Sequence, residues 1–512
     1  MLYLAFIWHM HQPYYRDLVS GEIRLPWVRL HGIKDYLDMV KILEGYPDIR
    51  QTFNLVPSLI EQIQAYIDGA KDTYQAISYK KANELTADEK HFIKEHFFSA
   101  NLSNIISVYP RYYELYLKKQ KNEEFSLQEY LDLQVWFNLA WFDYICKKTV
   151  PSLRKLIAKG RYFSEEDKQI ALSEQIELLK EIIPTYKKFQ ESGQIEVTVS
   201  PYYHPITPLL CDTNIAKEAN RHAPLPQIRF SRPEDALAQI KQAVTLYTNT
   251  FGMPPRGIWP SEEAVSEHIM PFIAQSGIKW LVTDEEILFR SLKKKRTAKL
   301  LYQPYLLKRE EGSISAVFRD RNLSDLIGFV YHGLTEQAAA ADFIGHLHNI
   351  IKAAQGEDRF VVIAMDGENA WEYYRNDGWN FLTHLYKCIS NDKRIQTVTV
   401  SEYLAKHPAQ SPIRRISAGS WIYGNFNKWI GQEQKNKAWE YLAKARAELE
   451  VPESKIKNQE LAWKQIYVLE GSDWCWWYGD NNADFDALYR RHLRNFYAFI
   501  GKEPPEYLNK PL

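Results

Sequence analysis

Short apolar runs that end abruptly in polar residues recur along the chain. In residues 359–374, RFVVIAMDGENAWEYY, an uncharged run rich in β-branched residues is followed at once by Asp366, Gly367 and Glu368. Such a run indicates a strand that is buried on both faces, as in a parallel sheet. Carboxyl groups at its end are costly unless they are paired, hydrogen-bonded or used in chemistry. A turn with a helix cap favours the same residues, so this stretch alone leaves both interpretations open.

Most of the other predicted strands end in the same way. We predict strands at residues 2–8, 51–56, 194–200, 257–258, 279–283 and 314–319, and either an eighth strand or an edge segment at 397–400. The polar side chains at or after these runs are His9, His11, His204, Glu262, Asp284, Arg319 and Asp320. In a parallel barrel such strand ends lie on one rim, where catalytic groups from many loops meet. One shared site explains the pattern better than a series of unrelated turns.

Two regions lack strand alternation and predict helices. Residues 58–193 carry apolar side chains at three-to-four spacing, which indicates a long helical insertion between two strands. Residues 411–512 combine helices with the aromatic-rich turns GSWIYGNFNKWIG and GSDWCWWYGD. We therefore predict a catalytic domain over residues 1–410, which includes the insertion, and a C-terminal helical domain over residues 411–512. Trp474, Trp476 and Trp477 are interpreted as core residues that hold the C-terminal helices on the barrel.

Composition disfavours several classes of partner. Lys plus Arg and Asp plus Glu both number 64, so electrostatics favours neither nucleic acid nor an anionic membrane. No run of about 20 apolar residues predicts a membrane span, and the opening MLYLAFIWHMHQP lacks the basic segment of a secretory signal. The four cysteines form no CxxC pair, so we expect a cytoplasmic protein. The aromatic share of 14% supplies flat surfaces for sugar rings as well as core material.

The predicted rim supports two chemistries. The sequence has no G-x-S-x-G nucleophile elbow, P-loop or dinucleotide glycine motif in the right context. His9 and His11, with His204 and Asp366, are suited to a metal-dependent hydrolase site. Alternatively, Glu262 and Asp366 are the paired carboxyl groups of a glycosidase, one attacking the anomeric carbon and one protonating the leaving oxygen.

Five ordered motifs resemble the signature regions of glycoside hydrolase family 57. They are HMHQP, SPYYHPITPLL, GIWPSE, MDGENAW and the late turns that begin GSW and GSDW. The resemblance is to the α-amylase and amylopullulanase-like part of the family. It implies an α/β fold, namely an incomplete (β/α)7 barrel with a long helical insertion and a C-terminal helical domain that completes the cleft. It also implies retaining chemistry on α-glucans with no cofactor and no metal.

Position within these motifs implies the catalytic roles. Glu262 resembles the nucleophile, and Asp366 resembles the general acid/base. Glu263 departs from the family pattern, which commonly has a small residue there. The nucleophile is therefore either Glu262, the preferred assignment, or its neighbour Glu263. Glu368 is interpreted as orienting its neighbours. A nearby Arg319, or the neighbouring histidines, would hold down the pKa of the nucleophile and keep it ionised. A partly dry pocket walled by tryptophan and close to a second carboxylate would keep the acid protonated.

Other residues of the motifs resemble substrate ligands. Trp421 resembles an aromatic residue that stacks on glucose, and Asp473 resembles one that bonds to substrate. For the histidines the alternative is a structural bond to strand-end carbonyl groups, and for the tryptophans beside the catalytic pair it is packing. The predicted substrate-binding residues are His11, His204, Trp259, Arg319, Trp371, Trp421 and Asp473.

The leading hypothesis is an enzyme that hydrolyses α-1,4 bonds, and in the wider case α-1,6 bonds, of an α-glucan oligo- or polysaccharide. If the cleft excludes water, the same machinery makes a 4-α-glucanotransferase or branching enzyme. A metal-dependent polysaccharide deacetylase built on His9, His11 and Asp366 is a more remote alternative. A catalytically silent glucan-binding protein is the last.

Overall fold

The computed structural model describes residues 1–450, 457–478 and 483–512 of the chain. Most of its strands are short and buried, as the apolar runs predict. Within the described residues the strands are β1 (Leu2–Met10), β2 (Gln51–Leu55), β3 (Ile195–Thr198), β4 (Gly257–Ile258), β5 (Trp280–Asp284), β6 (Tyr305–Arg309), β7 (Gly312–Arg319), β8 (Arg359–Asp366), β9 (Ile395–Thr397) and β10 (Ser411–Pro412).

Seven of these strands run parallel around a barrel. β1 pairs with β2 on one side and β8 on the other, and β3 continues the sheet beyond β2. β4, β5 and β7 form the second parallel sheet. The sheets meet at a bridge between Val199 and Ile258 and at a 2.8 Å hydrogen bond from the Asp320 amide to the Val362 carbonyl. Because the two sheets are joined only by these short contacts among the described residues, the barrel is an incomplete (β/α)7 barrel, which confirms the predicted fold class.

The remaining strands lie outside the seven-strand ring. β6 runs antiparallel to β7, and β10 pairs with β6. β9 pairs with the first residues of β1. The edge segment predicted at residues 397–400 overlaps this strand only at Thr397, because Thr399 caps a helix that begins at Val400.

Strand alternation explains why two polar residues reach the barrel interior. Ala5 and Ile7 of β1 and Ala364 of β8 belong to an apolar cluster inside the barrel, whereas alternate residues of the same strands pack outward. Continuing this period of two brings His9 and Asp366 to the inner side at the strand ends. The two residues are direct neighbours in the β1–β8 register.

Helices surround the barrel and fill the predicted insertion. The helices of the barrel region are α1 (Trp27–His31), α2 (Asp38–Lys41), α11 (Thr207–Cys211), α12 (Ala216–Ala219), α13 (Pro233–Phe251), α14 (Met270–Gln275), α15 (Glu285–Leu292), α16 (Ala298–Leu301), α17 (Arg321–Asp325), α18 (Glu336–Ala353), α19 (Trp379–Asn391) and α20 (Val400–Lys406). Those between β2 and β3 are α3 (Pro57–Ile67), α4 (Thr73–Tyr79), α5 (Ala87–His96), α6 (Pro110–Gln120), α7 (Leu127–Ala140), α8 (Tyr144–Thr149), α9 (Pro151–Lys159) and α10 (Glu165–Glu191).

A buried ion pair ties the insertion to the barrel. The Arg29 Nε atom donates to Asp72 Oδ2 at 2.7 Å, and its Nη1 atom donates to Asn138 and Gln175. All the donors of a buried guanidinium need partners, because an uncompensated buried charge is expensive. Arg29 thereby connects α1 with the N-terminal cap of α4 and with α7 and α10.

The C-terminal region is helical but begins on the barrel. Its helices are α21 (Glu433–Ala447), α22 (Gln459–Leu469), α23 (Asp473–Trp477) and α24 (Ala483–Phe499). Before α21, Gly419 forms a bridge with Val265 near the barrel rim. The last two residues of the GSDWCWWYGD segment, Gly479 and Asp480, lie outside the described residues. In the part of the chain described, no helix is both long and apolar enough to cross a lipid bilayer.

Candidate active site

Three imidazole rings stack inside the barrel rim. The ring centroids of His11 and His204 are 3.9 Å apart, and His9 lies 4.9 Å from His204. His9 also lies flat on Trp259, with centroids 4.7 Å apart, and its Nδ1 atom is 2.6 Å from the Asn54 side-chain oxygen. Burial lowers the pKa of His9 to about 3 and the pKa of His204 well below its usual range. Both rings are therefore neutral at neutral pH.

The C-terminal region supplies one side of this histidine cluster. His11 Nε2 is 2.7 Å from Asp473 Oδ1, and His204 Nδ1 is 3.0 Å from Ser472 Oγ. The other ring nitrogens, His11 Nδ1 and His204 Nε2, are buried and have no hydrogen-bond partner among the described residues. Buried polar atoms of this kind call for a partner, and a ligand hydroxyl is a suitable one.

Glu262 is held by two indole N–H groups. Trp421 Nε1 donates to Glu262 Oε2 at 2.7 Å, and Trp476 Nε1 donates to Oε1 at 3.0 Å. Burial raises the pKa of Glu262 to about 7; the Trp476 hydrogen bond opposes this rise, Asp366 adds to it and Trp421 opposes it. The pKa of Glu262 is therefore raised and not held down as expected, because burial outweighs the hydrogen bonds from the two indoles.

The backbone around the predicted pair is held in an unusual conformation. Glu262 has a φ of 57°, Glu263 a φ of 50° and His204 a φ of 58°. The left-handed region costs a residue with a Cβ atom roughly 1–2 kcal/mol. Such residues persist where the surrounding structure fixes them, and they cluster at functional sites.

Glu263 lies in a different environment from its neighbour. Its side chain is fully buried, and neither carboxyl oxygen has a hydrogen-bond partner among the described residues. Burial raises the pKa of Glu263 well above its usual range; Arg319 opposes the rise and Asp284 adds to it. Burial therefore disfavours the charged form of Glu263, and of these two neighbours only Glu262 has hydrogen bonds that favour a carboxylate.

Asp366 is the second acid of the rim. Asn369 Nδ2 donates to Asp366 Oδ2 at 3.0 Å. Burial raises the pKa of Asp366, while Asn369, His11 and Arg319 oppose the rise. Asp366 in turn raises the pKa of Glu368, whose largest upward shift comes from burial. Asp366 also adds to the rise in the pKa of Glu262 that burial causes, so the charge of Asp366 is felt at the predicted nucleophile.

Arg319 connects the barrel wall to one of the two indoles. Its Nε atom donates to Asp284 Oδ2 at 2.9 Å and its Nη1 atom to the Ala364 carbonyl at 3.1 Å. The guanidinium lies 5.0 Å from the ring centroid of Trp421, within cation–π range. Asp320 faces away from this group, because its carboxylate caps α17 and accepts the Tyr302 hydroxyl at 2.7 Å.

Two of the predicted sugar-contacting tryptophans are packed into the protein. Trp371 is 1% exposed, lies against Trp8 and donates to the Gly367 carbonyl at 2.8 Å. Trp259 is fully buried between His9 and Trp421. These contacts favour the packing interpretation of both rings: Trp371 fixes the loop after β8, and Trp259 supports the histidine cluster. Contact of either ring with substrate stays a prediction.

The histidine cluster also bears on metal binding. His11, His204 and Asp473 have ligand atoms within 4.8 Å of one another. The carboxylate of this group is Asp473, whereas the metal site predicted from the sequence uses Asp366. A metal ion needs ring nitrogens whose in-plane lone pairs converge at about 2.0–2.1 Å. The rings of His11 and His204 are stacked with only 27° between their planes, so their in-plane lone pairs lie in nearly parallel layers. This geometry suits hydroxyl ligands better than a metal ion.

Sequence reasoning missed the role of Trp476. The three tryptophans of α23 were assigned together to the core, and Trp474 is indeed buried. Trp477 is 42% exposed and stacks on Phe485, whereas Trp476 reaches Glu262. The available signal was spacing: Trp476 follows Asp473 by three residues, which places both on one face of a helix.

Comparison with known proteins links this geometry to one family. The model of the family described as glycosyl hydrolase family 57 matches residues 5–414. Alpha-amylase 1 of Dictyoglomus thermophilum is 25% identical over 295 residues, which is 56% of this chain and 36% of that protein. The 4-alpha-glucanotransferase of Thermococcus litoralis is 24% identical over 243 residues, 45% of this chain and 31% of that protein. The chain thus spans about a third of the length of the curated relatives that it matches.

Solved structures share the fold over nearly the whole chain. A GH57-type branching enzyme from Pyrococcus horikoshii gives a TM-score of 0.64 at 17% identity, covering 99% of this chain and 93% of that one. The alpha-amylase AmyC from Thermotoga maritima gives a TM-score of 0.59 at 15% identity, covering 98% and 92%. At these identities the likeness concerns the fold.

Proposed function

This chain belongs to glycosyl hydrolase family 57, and from that premise we propose that it cleaves α-glucans with retention, through a covalent glycosyl-enzyme. The observation that carries the proposal is the environment of Glu262. Its buried carboxyl group receives two indole N–H groups at the barrel rim and interacts electrostatically with Asp366. Two carboxyl groups with distinct surroundings are what a glycosidase needs for its two roles.

The proposed reaction has two steps. Glu262 attacks the anomeric carbon, the bond from that carbon to the leaving oxygen breaks, and Asp366 gives its proton to that oxygen. The Asp366 carboxylate then removes a proton from water, whose oxygen attacks the same carbon and releases Glu262. The upward shift of the Asp366 pKa supports its starting as the acid. The two indole donors support the ionised form of Glu262 against the effect of burial.

The proposed substrate contacts follow from the polar atoms of the rim that have no hydrogen-bond partner among the described residues. His11 Nδ1 and His204 Nε2 have no partner among the described residues and are offered to sugar hydroxyls. Asp473 accepts from His11 and retains a second carboxyl oxygen for the same sugar. Trp421, partly exposed and backed by the Arg319 guanidinium, is the proposed stacking surface.

Transfer to a second sugar is the competing outcome. The relatives include both an alpha-amylase and a 4-alpha-glucanotransferase, and the structural neighbours include a branching enzyme. All of these outcomes use the same glycosyl-enzyme and differ in whether water or a sugar hydroxyl intercepts it. Product analysis on maltoheptaose separates them: shorter products alone indicate hydrolysis, longer ones indicate transfer. A cytoplasmic location and a domain division at residue 410 remain predictions.

A pair of adjacent variants tests the nucleophile. We expect Glu262→Gln to lower kcat on maltoheptaose by a factor on the order of 10³ or more, because it removes a group that acts only in the chemical step. Glu263→Gln is the matched control: the same change one residue away, in a side chain without hydrogen-bond partners, is expected to keep kcat within about tenfold.

Trapping the covalent intermediate locates the residue directly. With a slow-reacting fluorinated glucosyl donor, mass spectrometry of the digested protein is expected to find the label on Glu262. A label on Glu263, or full turnover by Glu262→Gln, would refute the assignment. A chelator provides the test of the metal-dependent alternative: loss of activity on chelation, restored by a divalent metal, would overturn the glycosidase proposal.

A further inference from the structure

A cavity lies between the helical insertion and the loop that follows β8. Its volume is about 1360 Å³. Its lining includes Tyr109, Tyr144 and residues of α9 from the insertion, and Arg375, Asn376 and Asp377 from the loop after β8. None of its lining residues contributes a contact to the histidine cluster or to the hydrogen bonds of Glu262 and Asp366 described above. The cavity is therefore a site separate from the proposed catalytic one.

The charge of this cavity departs from that of the whole chain. The chain as a whole is balanced, with 64 basic and 64 acidic residues. The cavity is lined by five cationic side chains and one carboxylate, namely Lys147, Lys148, Arg154, Lys155, Arg375 and Asp377. Lys147 is 3.6 Å from Asp377. Within the described residues, the other four cations have no carboxylate at ion-pair distance, so the cavity holds uncompensated positive charge around an open volume.

The loop that follows β8 has three consecutive left-handed residues next to the cavity. Asn376, Asp377 and Gly378 follow one another with φ values of 52°, 53° and 75°. Asparagine and aspartate enter the left-handed region more readily than other residues that have a Cβ atom. In this conformation Asn376 and Asp377 line the cavity beside Arg375.

We infer that this cavity binds a small molecule that carries a phosphate ester, such as a sugar phosphate or a nucleotide. Arginine presents a planar fork of donors that matches phosphate oxygens, and lysine supplies point charge beside it. Arg154 on α9 and Arg375 in the loop after β8 both line the cavity, so two separate segments of the chain supply guanidinium groups to it. Lys147 and Lys148 lie 5.8 and 4.8 Å from the ring centroids of Tyr109 and Tyr144, so these two rings hold lining cations at the cavity by cation–π contact. The inference does not depend on the proposed glucan chemistry.

Equilibrium binding to the full-length protein tests the inference. Calorimetric titrations with inorganic phosphate, glucose 6-phosphate and AMP distinguish the sources of the phosphate group, and maltose is the uncharged comparison. We expect saturable binding of at least one phosphate compound and weaker binding at higher salt, because the contact is ionic. We expect the double variant Arg154→Ala/Arg375→Ala to weaken that binding at least tenfold, with an unchanged melting temperature because both side chains are exposed.

A control of equal charge makes the outcome decisive. Lys294 and Lys295 are exposed, lie outside the cavity and have no ion-pair partner among the described residues. Lys294→Ala/Lys295→Ala therefore removes the same two charges and is expected to leave phosphate binding within twofold of the parent. Equal weakening by both double variants, or the absence of saturable binding by all three phosphate compounds, would overturn the inference. Binding of maltose that the Arg154→Ala/Arg375→Ala variant weakens equally would overturn it as well.

Discussion

At the scale of single residues, the carboxyl group of Glu262 is subject to two opposing effects. Burial disfavours its charged form and raises its pKa to about 7, while hydrogen bonds from Trp476 and Trp421 favour the charged form. In the proposed mechanism the nucleophile has to be ionised. We therefore expect the acid limb of the pH profile of kcat/KM to lie near pH 7, because Glu262 takes up a proton as the pH falls through this value.

Replacing one indole donor shifts this limb in a defined direction. Trp476→Phe keeps an aromatic ring but removes the N–H group that donates to Glu262 Oε1. A hydrogen bond to a charged group contributes about 1.5–3 kcal/mol, and one pKa unit corresponds to about 1.4 kcal/mol. Loss of the donor raises the pKa of Glu262, so we expect the acid limb of kcat/KM to move up by on the order of one pH unit.

The neighbouring tryptophan supplies the control for this experiment. Trp477 lies on the same short helix but is 42% exposed and stacks on Phe485 instead of reaching Glu262. We expect Trp477→Phe to leave the acid limb within about 0.2 pH units of the parent, because it changes no hydrogen bond to the titrating pair. An equal shift in both variants, or none in Trp476→Phe, would contradict a direct effect of the Trp476 indole.

Sequence reasoning reached the identity of the rim residues but not their surroundings. The period of two along β1 and β8 predicts that His9 and Asp366 face one interior, since it follows from pleat geometry alone. The left-handed backbone at Glu262 and the indole N–H groups that bind its carboxyl group depend on a segment more than 150 residues away. No local sequence pattern predicts a contact of this kind. The rise in the Glu262 pKa has the same origin, because burial is a property of the assembled barrel.

At the scale of secondary-structure elements, the shortest barrel strand depends on a glycine. β4 has two residues, and a Cβ atom on Gly257 would lie 2.2 Å from the ring of Trp280 on the neighbouring β5. The Trp280 indole donates to Glu196 and to Ser401, both at 3.0 Å, so its ring is fixed and unable to yield. The absence of a side chain at Gly257 thus lets β4 and β5 pair and carry Glu262 to the rim.

Adding a methyl group at this position tests the packing. We expect Gly257→Ala to lower the free energy of unfolding by about 1–3 kcal/mol or more, since overpacking forces side chains and backbone to shift. Gly345→Ala is the control: Gly345 lies inside α18 with open space around it, and alanine there is expected to raise stability by about 0.4–1 kcal/mol. Denaturant titration measures both changes, and equal stability of Gly257→Ala and the parent would contradict the packing argument.

At the scale of the whole molecule, the proposed site is assembled from distant parts of the chain. The barrel supplies the two acids and the histidines, and the C-terminal region supplies Trp421, Asp473 and Trp476. The helical character of both the insertion and the C-terminal region was predictable from apolar spacing. Their docking was not, because it rests on buried polar pairs such as Arg446 with Asp235, which join residues 211 positions apart.

The Arg446–Asp235 pair offers a test of how the C-terminal region is fastened. Arg446 Nε donates to Asp235 Oδ2 at 2.6 Å and Nη2 donates to Oδ1 at 3.0 Å, joining α21 to α13 through buried side chains. We expect Arg446→Met to cost about 3–5 kcal/mol of unfolding free energy, because it leaves the Asp235 carboxylate buried and uncompensated. Adding Asp235→Asn should recover part of this loss, so the double variant is expected to be less destabilised than the sum of the single ones.

An exposed ion pair sets the scale for that comparison. Lys406 and Glu402 form an i,i+4 pair on the surface of α20, and Lys406→Ala is expected to change stability by no more than about 0.5 kcal/mol. If the losses of unfolding free energy caused by Arg446→Met and Asp235→Asn are strictly additive, the buried pair does not hold the two helices together.

If the buried pair does hold the two helices together, kcat of Arg446→Met, measured well below its unfolding midpoint, should also fall. The reason is that α22 and α23 follow α21 in the chain, and α23 presents Trp476 to Glu262. The parent value of kcat in a destabilised Arg446→Met would instead show that the site is held together by its own hydrogen bonds, His11 to Asp473 foremost among them.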